Sequence, residues 1–202
     1  MKSTLENRVL LLLSKQPSFP WNAPGVAKEL GISRVGAFKA LRELGKEGIV
    51  RSHTLAGSAF YRLNLSDDFA FKRTELAFLT EARMHKRWER EFQDLYPSTL
   101  FVVLFGSILT REDTARDIDL LVVIEWRNMK RATEIFRKEG RALLNPFHFL
   151  PMTPEDFRKN LAKGLIAPLT QKCVILHGAD WYLQELREQS GLVLQKSGAR
   201  AP

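Results

Sequence analysis

Gly106-Ser107 and Asp117-Ile118-Asp119 are the residues of this chain whose types and spacing most directly suggest chemistry. The apolar, β-branched and aromatic run from Leu100 to Phe105 reads as a buried strand, and Gly106-Ser107 follows it at once. Nine residues later, Asp117-Ile118-Asp119 opens a second strand, Asp-Ile-Asp-Leu-Leu-Val-Val-Ile. A Gly-Ser at the end of a strand and the start of a helix lets backbone amides approach a phosphate closely, and the helix N-terminus adds favourable charge. Residues two apart on a strand share a face, so Asp117 and Asp119 present their carboxylates together while Ile118 points the other way. Two such carboxylates repel unless a divalent cation sits between them. That is a ligand set for Mg²⁺, or Mn²⁺, bridging nucleotide phosphates.

Other elements must hold these groups in place. Met129 to Arg141 reads as a crossover helix and Asn145 to Leu150 as a third strand. That third strand carries no acid. His148 is its one candidate, either as a metal ligand or proton acceptor or as a strand histidine satisfied by a hydrogen bond. Arg111 and Arg116 flank the loop and could reach phosphates, although exposed loop arginines are usually solvated. Thr153 reads as the N-cap of a further helix, and Cys173 as a buried apolar residue.

The N-terminal third has a different character. Leu5, Val9, Leu12 and Leu13 form a helical stripe that Gln16-Pro17-Ser18-Phe19-Pro20 interrupts. A second helix, Pro24 to Leu30, ends before Gly31, and Ser33 is placed to cap a third that runs to about Glu47. A strand begins at Ile49-Val50-Arg51, turns at Ala56-Gly57-Ser58 and returns over Phe60 to Leu63. Val26, Leu30, Ile32, Ala37, Leu41 and Leu44 are the expected core. Arg34, Lys39 and Arg42 face outward on the third helix, and Arg51 and His53 lie on the hairpin. Residues 1–65 hold 10 Lys and Arg against 4 acids, a net +6, whereas residues 66–96 are at −1 and residues 97–202 at +3. A basic excess on the smallest segment is expected where a segment meets nucleic acid. A long helix over Thr74 to Leu95, with Phe78, Ala82, His85, Trp88 and Phe92 on one face, reads as a packed connector or a pairing surface for a second copy, with a basic-aromatic nucleic-acid patch as the alternative.

Residues 1–65 resemble winged helix-turn-helix domains of the MarR/ArsR type, on the motif Lys-Glu-Leu-Gly-Ile-Ser-Arg…Ala-Leu-Arg-Glu-Leu. Phe105-Gly106-Ser107…Asp117-Ile118-Asp119-Leu120 resembles the signature of the DNA polymerase β-type nucleotidyltransferase superfamily. The two together resemble small prokaryotic proteins that fuse a winged helix to a minimal nucleotidyltransferase. The resemblance implies an α+β fold: an N-terminal winged helix domain over 1–65, a connector over 66–96, and a small mixed-sheet nucleotidyltransferase fold over 97–190, with Leu165 to Leu176 and Ala179 to Glu188 as its C-terminal helices. Residues 191–202 would be a tail. It further implies Gly106 and Ser107 at the nucleoside triphosphate, Asp117 and Asp119 at two metal ions, and Arg34, Lys39, Arg42 and Arg51 at DNA, with Arg116 on the loop as the added phosphate contact. The reaction implied is transfer of a nucleoside monophosphate to an acceptor, which could be a protein hydroxyl, a nucleic acid end or a small molecule. Members usually carry a third carboxylate on the strand after the crossover helix, where this chain has no acid; His148 is the candidate for that place, and Glu125 and Glu155 are weaker substitutes. The alternative is therefore a DNA-binding regulator whose second domain binds nucleotide or mediates dimerisation. Related minimal enzymes can act on a paired toxin, which makes a toxin a third class of partner.

Composition narrows the rest. The chain has 202 residues, 45% hydrophobic and 27% charged, with one cysteine and four histidines. These values suit a globular protein and exclude a disulfide framework or a cysteine-based zinc site within one chain. No apolar run approaches the roughly 18 residues that span a bilayer. Val9 to Leu13 lacks a small-residue cleavage site, so a signal peptide is not expected and the expected location is the reducing cytoplasm.

Overall fold

The computed structural model describes residues 4–110, 117–142, 147–164 and 172–198. The fold is mixed α+β and contains a small mixed sheet. The chain divides into two compact units. One comprises the chain up to Phe78 together with the stretch from Leu183 onward, and the other runs from Leu79 to Tyr182.

In the first unit, α1 (Leu5–Lys15), α2 (Ala23–Leu30) and α3 (Arg34–Lys46) precede a hairpin of β1 (Val50–Leu55) and β2 (Ser58–Leu63). Each helix starts on a side-chain cap that satisfies an orphan backbone donor. Thr4 accepts from Asn7 N–H, Asn22 from Gly25 N–H and Ser33 from Gly36 N–H. The last of these explains a glycine that otherwise weakens a helix interior. A Cβ on Gly36 would lie 3.2 Å from the Ser33 hydroxyl oxygen, tight against the cap itself. Val26, Ala37, Leu41 and Leu44 are buried as their spacing predicts, together with Leu10, Trp21 and Ile49, while Leu30 and Ile32 are only half-buried. Ala56-Gly57 forms the two-residue hairpin turn, both residues with positive φ. The Tyr61 N–H donates to the Trp21 carbonyl and ties the hairpin to the segment before α2.

The connector differs from the continuous helix that its apolar face suggests. It comprises α4 (Asp68–Met84), a break at His85, α5 (Lys86–Glu91) and a 3₁₀ segment over Gln93–Ser98. The break redirects the chain, so that Trp88, Phe92 and Leu95 all enter the core of the second unit. Pro97 prevents α-helix from continuing beyond that point.

The second unit is built on one sheet, in the order β5 (Phe147–Met152), β4 (Ile118–Val123), β3 (Phe101–Phe105), β6 (Cys173–His177). β4 is parallel to β5, while β3 is antiparallel to both its neighbours. On one face Leu104, Ile118, Leu120, Val122 and Val174 pack with Trp88, Phe92 and Leu95 and with Ala132 and Phe136 of α6 (Met129–Ala142). On the other, Phe101 meets Phe157 of α7 (Pro154–Ala162) and Trp181 and Tyr182 of α8 (Ala179–Gly198). Thr153 caps α7 as expected.

Two expectations are corrected here. Cys173 to Leu176 is strand rather than helix, because a short apolar run fits either period and here completes the sheet beside β3. The last helix also continues through Gly198 rather than yielding to a tail at residue 191. Gly178 allows the turn from β6 into α8. Its φ is +76°, and a Cβ there would lie 1.9 Å from the Leu100 carbonyl oxygen. No helix among the described residues is long and apolar enough to cross a membrane.

Candidate metal centre

The centre is assembled from three strands. β3 ends at Phe105, whose antiparallel partner on β4 is Asp119. Parallel pairing of β4 with β5 then sets His148 directly beside Asp119. Strand alternation sends Ile118 into the core, where it is almost fully buried, while Asp117 and Asp119 keep 38% and 22% of their side chains exposed on the opposite face. The carboxylates share one face, as the two-residue spacing predicts.

His148 Nδ1 lies 3.2 Å from Asp119 Oδ1 and 3.7 Å from Asp117 Oδ2. One ligand atom from each of the three residues can be chosen so that all lie within 4.8 Å of one another. Ser107 Oγ donates a long hydrogen bond of 3.4 Å to Asp117 Oδ1. Gly106 lies against Asp119, with φ at +87°, and a Cβ there would lie 2.3 Å from Asp119 Oδ2. Only glycine fits both the backbone angle and the space that the Asp119 carboxylate occupies. Gly106, Ser107, Asp117, Asp119 and His148 thus converge on one spot.

Other expected contributors are elsewhere. Glu125 follows the far end of β4 and pairs with Arg127, and Glu155 on α7 pairs with Lys159. Neither joins the centre. Arg116 and Arg111 lie outside the described residues. Ser107 to Leu109 forms a single 3₁₀ turn rather than a full helix, so no helix macrodipole is available there among the described residues.

No family model, curated protein or solved structure matches this chain. The donor set must therefore be judged on its own chemistry. Two carboxylates suit Mg²⁺ or Mn²⁺, and an imidazole nitrogen adds a donor that transition ions accept more readily than Mg²⁺ does. A site of this composition fits one divalent cation.

In the first unit, Arg34, Lys39 and Arg42 are all exposed on α3, and Arg51 and His53 are exposed on β1. Arg42 makes one loose contact, 3.7 Å, with Glu43, and Lys46 binds the same carboxylate at 2.9 Å. That ammonium holds the Glu43 carboxyl below its usual range. Val35 and Phe38 are also exposed on α3, a feature that the charge pattern of the helix does not disclose.

Proposed function

We propose that this chain is a metal-dependent nucleotidyltransferase that also carries a DNA-binding winged helix. The observation behind the enzymatic reading is the register of β4 on β5, which brings His148 beside Asp119 and within reach of Asp117. In this reading Asp117, Asp119 and His148 hold Mg²⁺ or Mn²⁺. The bound cation supplies neutralisation of charge on the entering and leaving oxygens. Ser107 and the backbone at Gly106 receive the phosphates of a nucleoside triphosphate, while the absence of a Cβ at Gly106 leaves the Asp119 carboxylate its place beside them.

The reaction is in-line attack of an acceptor hydroxyl on the α-phosphorus. The new oxygen–phosphorus bond forms as the bond to the bridging oxygen breaks, and pyrophosphate leaves. The hydroxyl proton passes to solvent while His148 is bound to the cation, because an imidazole bound through one nitrogen carries its proton on the other; an imidazole off the cation accepts the proton itself. The acceptor is a protein hydroxyl, a nucleic acid end or a small molecule, with a paired toxin among the protein candidates.

A second reading has one observation in its favour. Among the described residues no third carboxylate joins the centre, since Glu125 and Glu155 are paired elsewhere. In that case the domain binds metal and nucleotide without transfer, or pairs two copies, and the protein is a DNA-binding regulator. The test is label transfer from α-³²P-labelled ATP, CTP, GTP and UTP in cell extract with Mg²⁺ or Mn²⁺. Label on a protein or nucleic acid band that disappears in Asp117→Asn/Asp119→Asn supports the enzyme. Mn²⁺ binding followed by electron paramagnetic resonance, with no label, supports the regulator. Absence of both rejects the metal centre.

A further inference from the structure

The outer face of α3 carries an unexpected pair. Val35 is 63% exposed and Phe38 49% exposed, on a helix whose other outward residues are mostly charged. The two are three residues apart and therefore neighbours on the surface. Arg34 and Arg42 lie four residues to either side of Phe38, and Lys39 lies four beyond Val35, so an apolar ridge runs between cations. Burying neither residue stabilises the fold, and their exposure is a cost unless something covers them.

A second copy of this face is a poor cover. Pairing about a twofold axis would oppose Arg34, Lys39 and Arg42 with their own counterparts. The one acid within α3, Glu43, is already engaged by Lys46. The charge complement is a polyanion. The major groove of a DNA duplex offers phosphates at its rims and, at each thymine, a methyl group on its floor. The outward positions of α3 hold no Asn or Gln with which to read adenine by paired hydrogen bonds.

We infer that Val35 and Phe38 make the protein select thymine-containing duplex DNA by contact with thymine methyl groups, while Arg34, Lys39 and Arg42 hold the phosphates. The inference rests on the DNA-binding reading and adds the base it recognises and the residues that do so. The contact is with carbon alone. Removing the methyl while leaving every hydrogen-bonding group of the base intact therefore abolishes it.

That defines the experiment. The full chain selects duplexes from a random pool at low salt, and each thymine in the selected duplexes is then replaced by deoxyuridine. Each contacted thymine is expected to lose about fourfold in affinity, the value of one buried methyl. In the double variant Val35→Ala/Phe38→Ala, thymine and deoxyuridine duplexes should bind alike, and each single variant should narrow the difference. Arg34→Ala should weaken both equally. Both apolar side chains are exposed, and thermal melts of the variants confirm that folding is retained. DNA binding without sequence enrichment, or with thymine and deoxyuridine equivalent in the wild type, overturns the inference and leaves DNA binding standing. No retention of any duplex at low salt overturns DNA binding itself. Self-association that requires Phe38, without DNA retention, gives the face to a second copy and overturns both.

Discussion

The two units bring chemically active side chains to the surface in opposite ways. On α3, Arg34, Lys39 and Arg42 come from one short stretch of sequence and spread over a helical face, each exposed. On the sheet, Asp119 and His148 are 29 residues apart in sequence yet 3.2 Å apart in space. Helical neighbours stay about one turn apart, which suits contact with a long, regular polyanion. Paired strands bring side chains from distant segments together, which suits one small cation. The first arrangement can lose a member and weaken. The second fails when one ligand is removed.

The mutations that test this contrast differ in size. Asp119→Asn should reduce nucleotide transfer by about a thousandfold or more while leaving the melting temperature near that of the wild type. Comparable activity in that variant would remove Asp119 from the chemistry. Gly178→Ala should be the most damaging structural change, since the new Cβ meets the Leu100 carbonyl oxygen and the backbone angle resists any L side chain. We expect about 3 kcal/mol or more of destabilisation by denaturant unfolding. Gly106→Ala should cost about 1–3 kcal/mol and also displace the Asp119 carboxylate, so its signature is loss of Mn²⁺ binding in protein that still folds. On the helical face, Arg34→Ala with Lys39→Ala should weaken DNA binding for all sequences alike. The slope of log affinity against log salt should become shallower by about 2, one for each phosphate that is no longer neutralised.

The smallest effect concerns His177, which stacks on Tyr96 with ring centres 4.6 Å apart. Burial pushes its imidazole below the ordinary value of 6.5. The unfolded chain therefore takes up a proton more readily than the folded one. Stability attributable to this group is complete above pH 6.5 and declines as pH falls below that value. The melting temperature of the wild type should drop on acidification through that range, and His177→Phe should flatten the drop. Equal pH profiles for the two proteins would show that the buried ring does not control it.

How far the sequence discloses these features depends on the range of the signal. The Asp117 and Asp119 pair is legible because alternation along a strand is local. The caps at Ser33 and Thr153 are legible for the same reason, since the capping oxygen and its N–H are three residues apart. His148 can be read as a strand residue, but its place beside Asp119 depends on a parallel register that no local pattern encodes. β6 reads as helix because Cys173-Val174-Ile175-Leu176 is apolar throughout, and periodicity is silent in such a run. Val35 and Phe38 escape the sequence pattern because an apolar residue in a helix is ordinarily assigned to the core, and only their exposure shows otherwise.

Arg187 gives the architecture a consequence in time. Its guanidinium binds the Leu65 carbonyl and the Asp68 carboxylate and lies over the Phe71 ring, all within the first unit. The first unit is therefore interrupted in sequence, with the whole of Leu79–Tyr182 inserted between Phe71 and the arginine that closes over it. A ribosome delivers α1 to α3 and the hairpin early, but their unit waits for the second to be synthesised before it gains this clasp. A fragment ending at Phe78 would contain every residue of the hairpin and the start of α4 and still lack the cation that Leu65, Asp68 and Phe71 are arranged to receive.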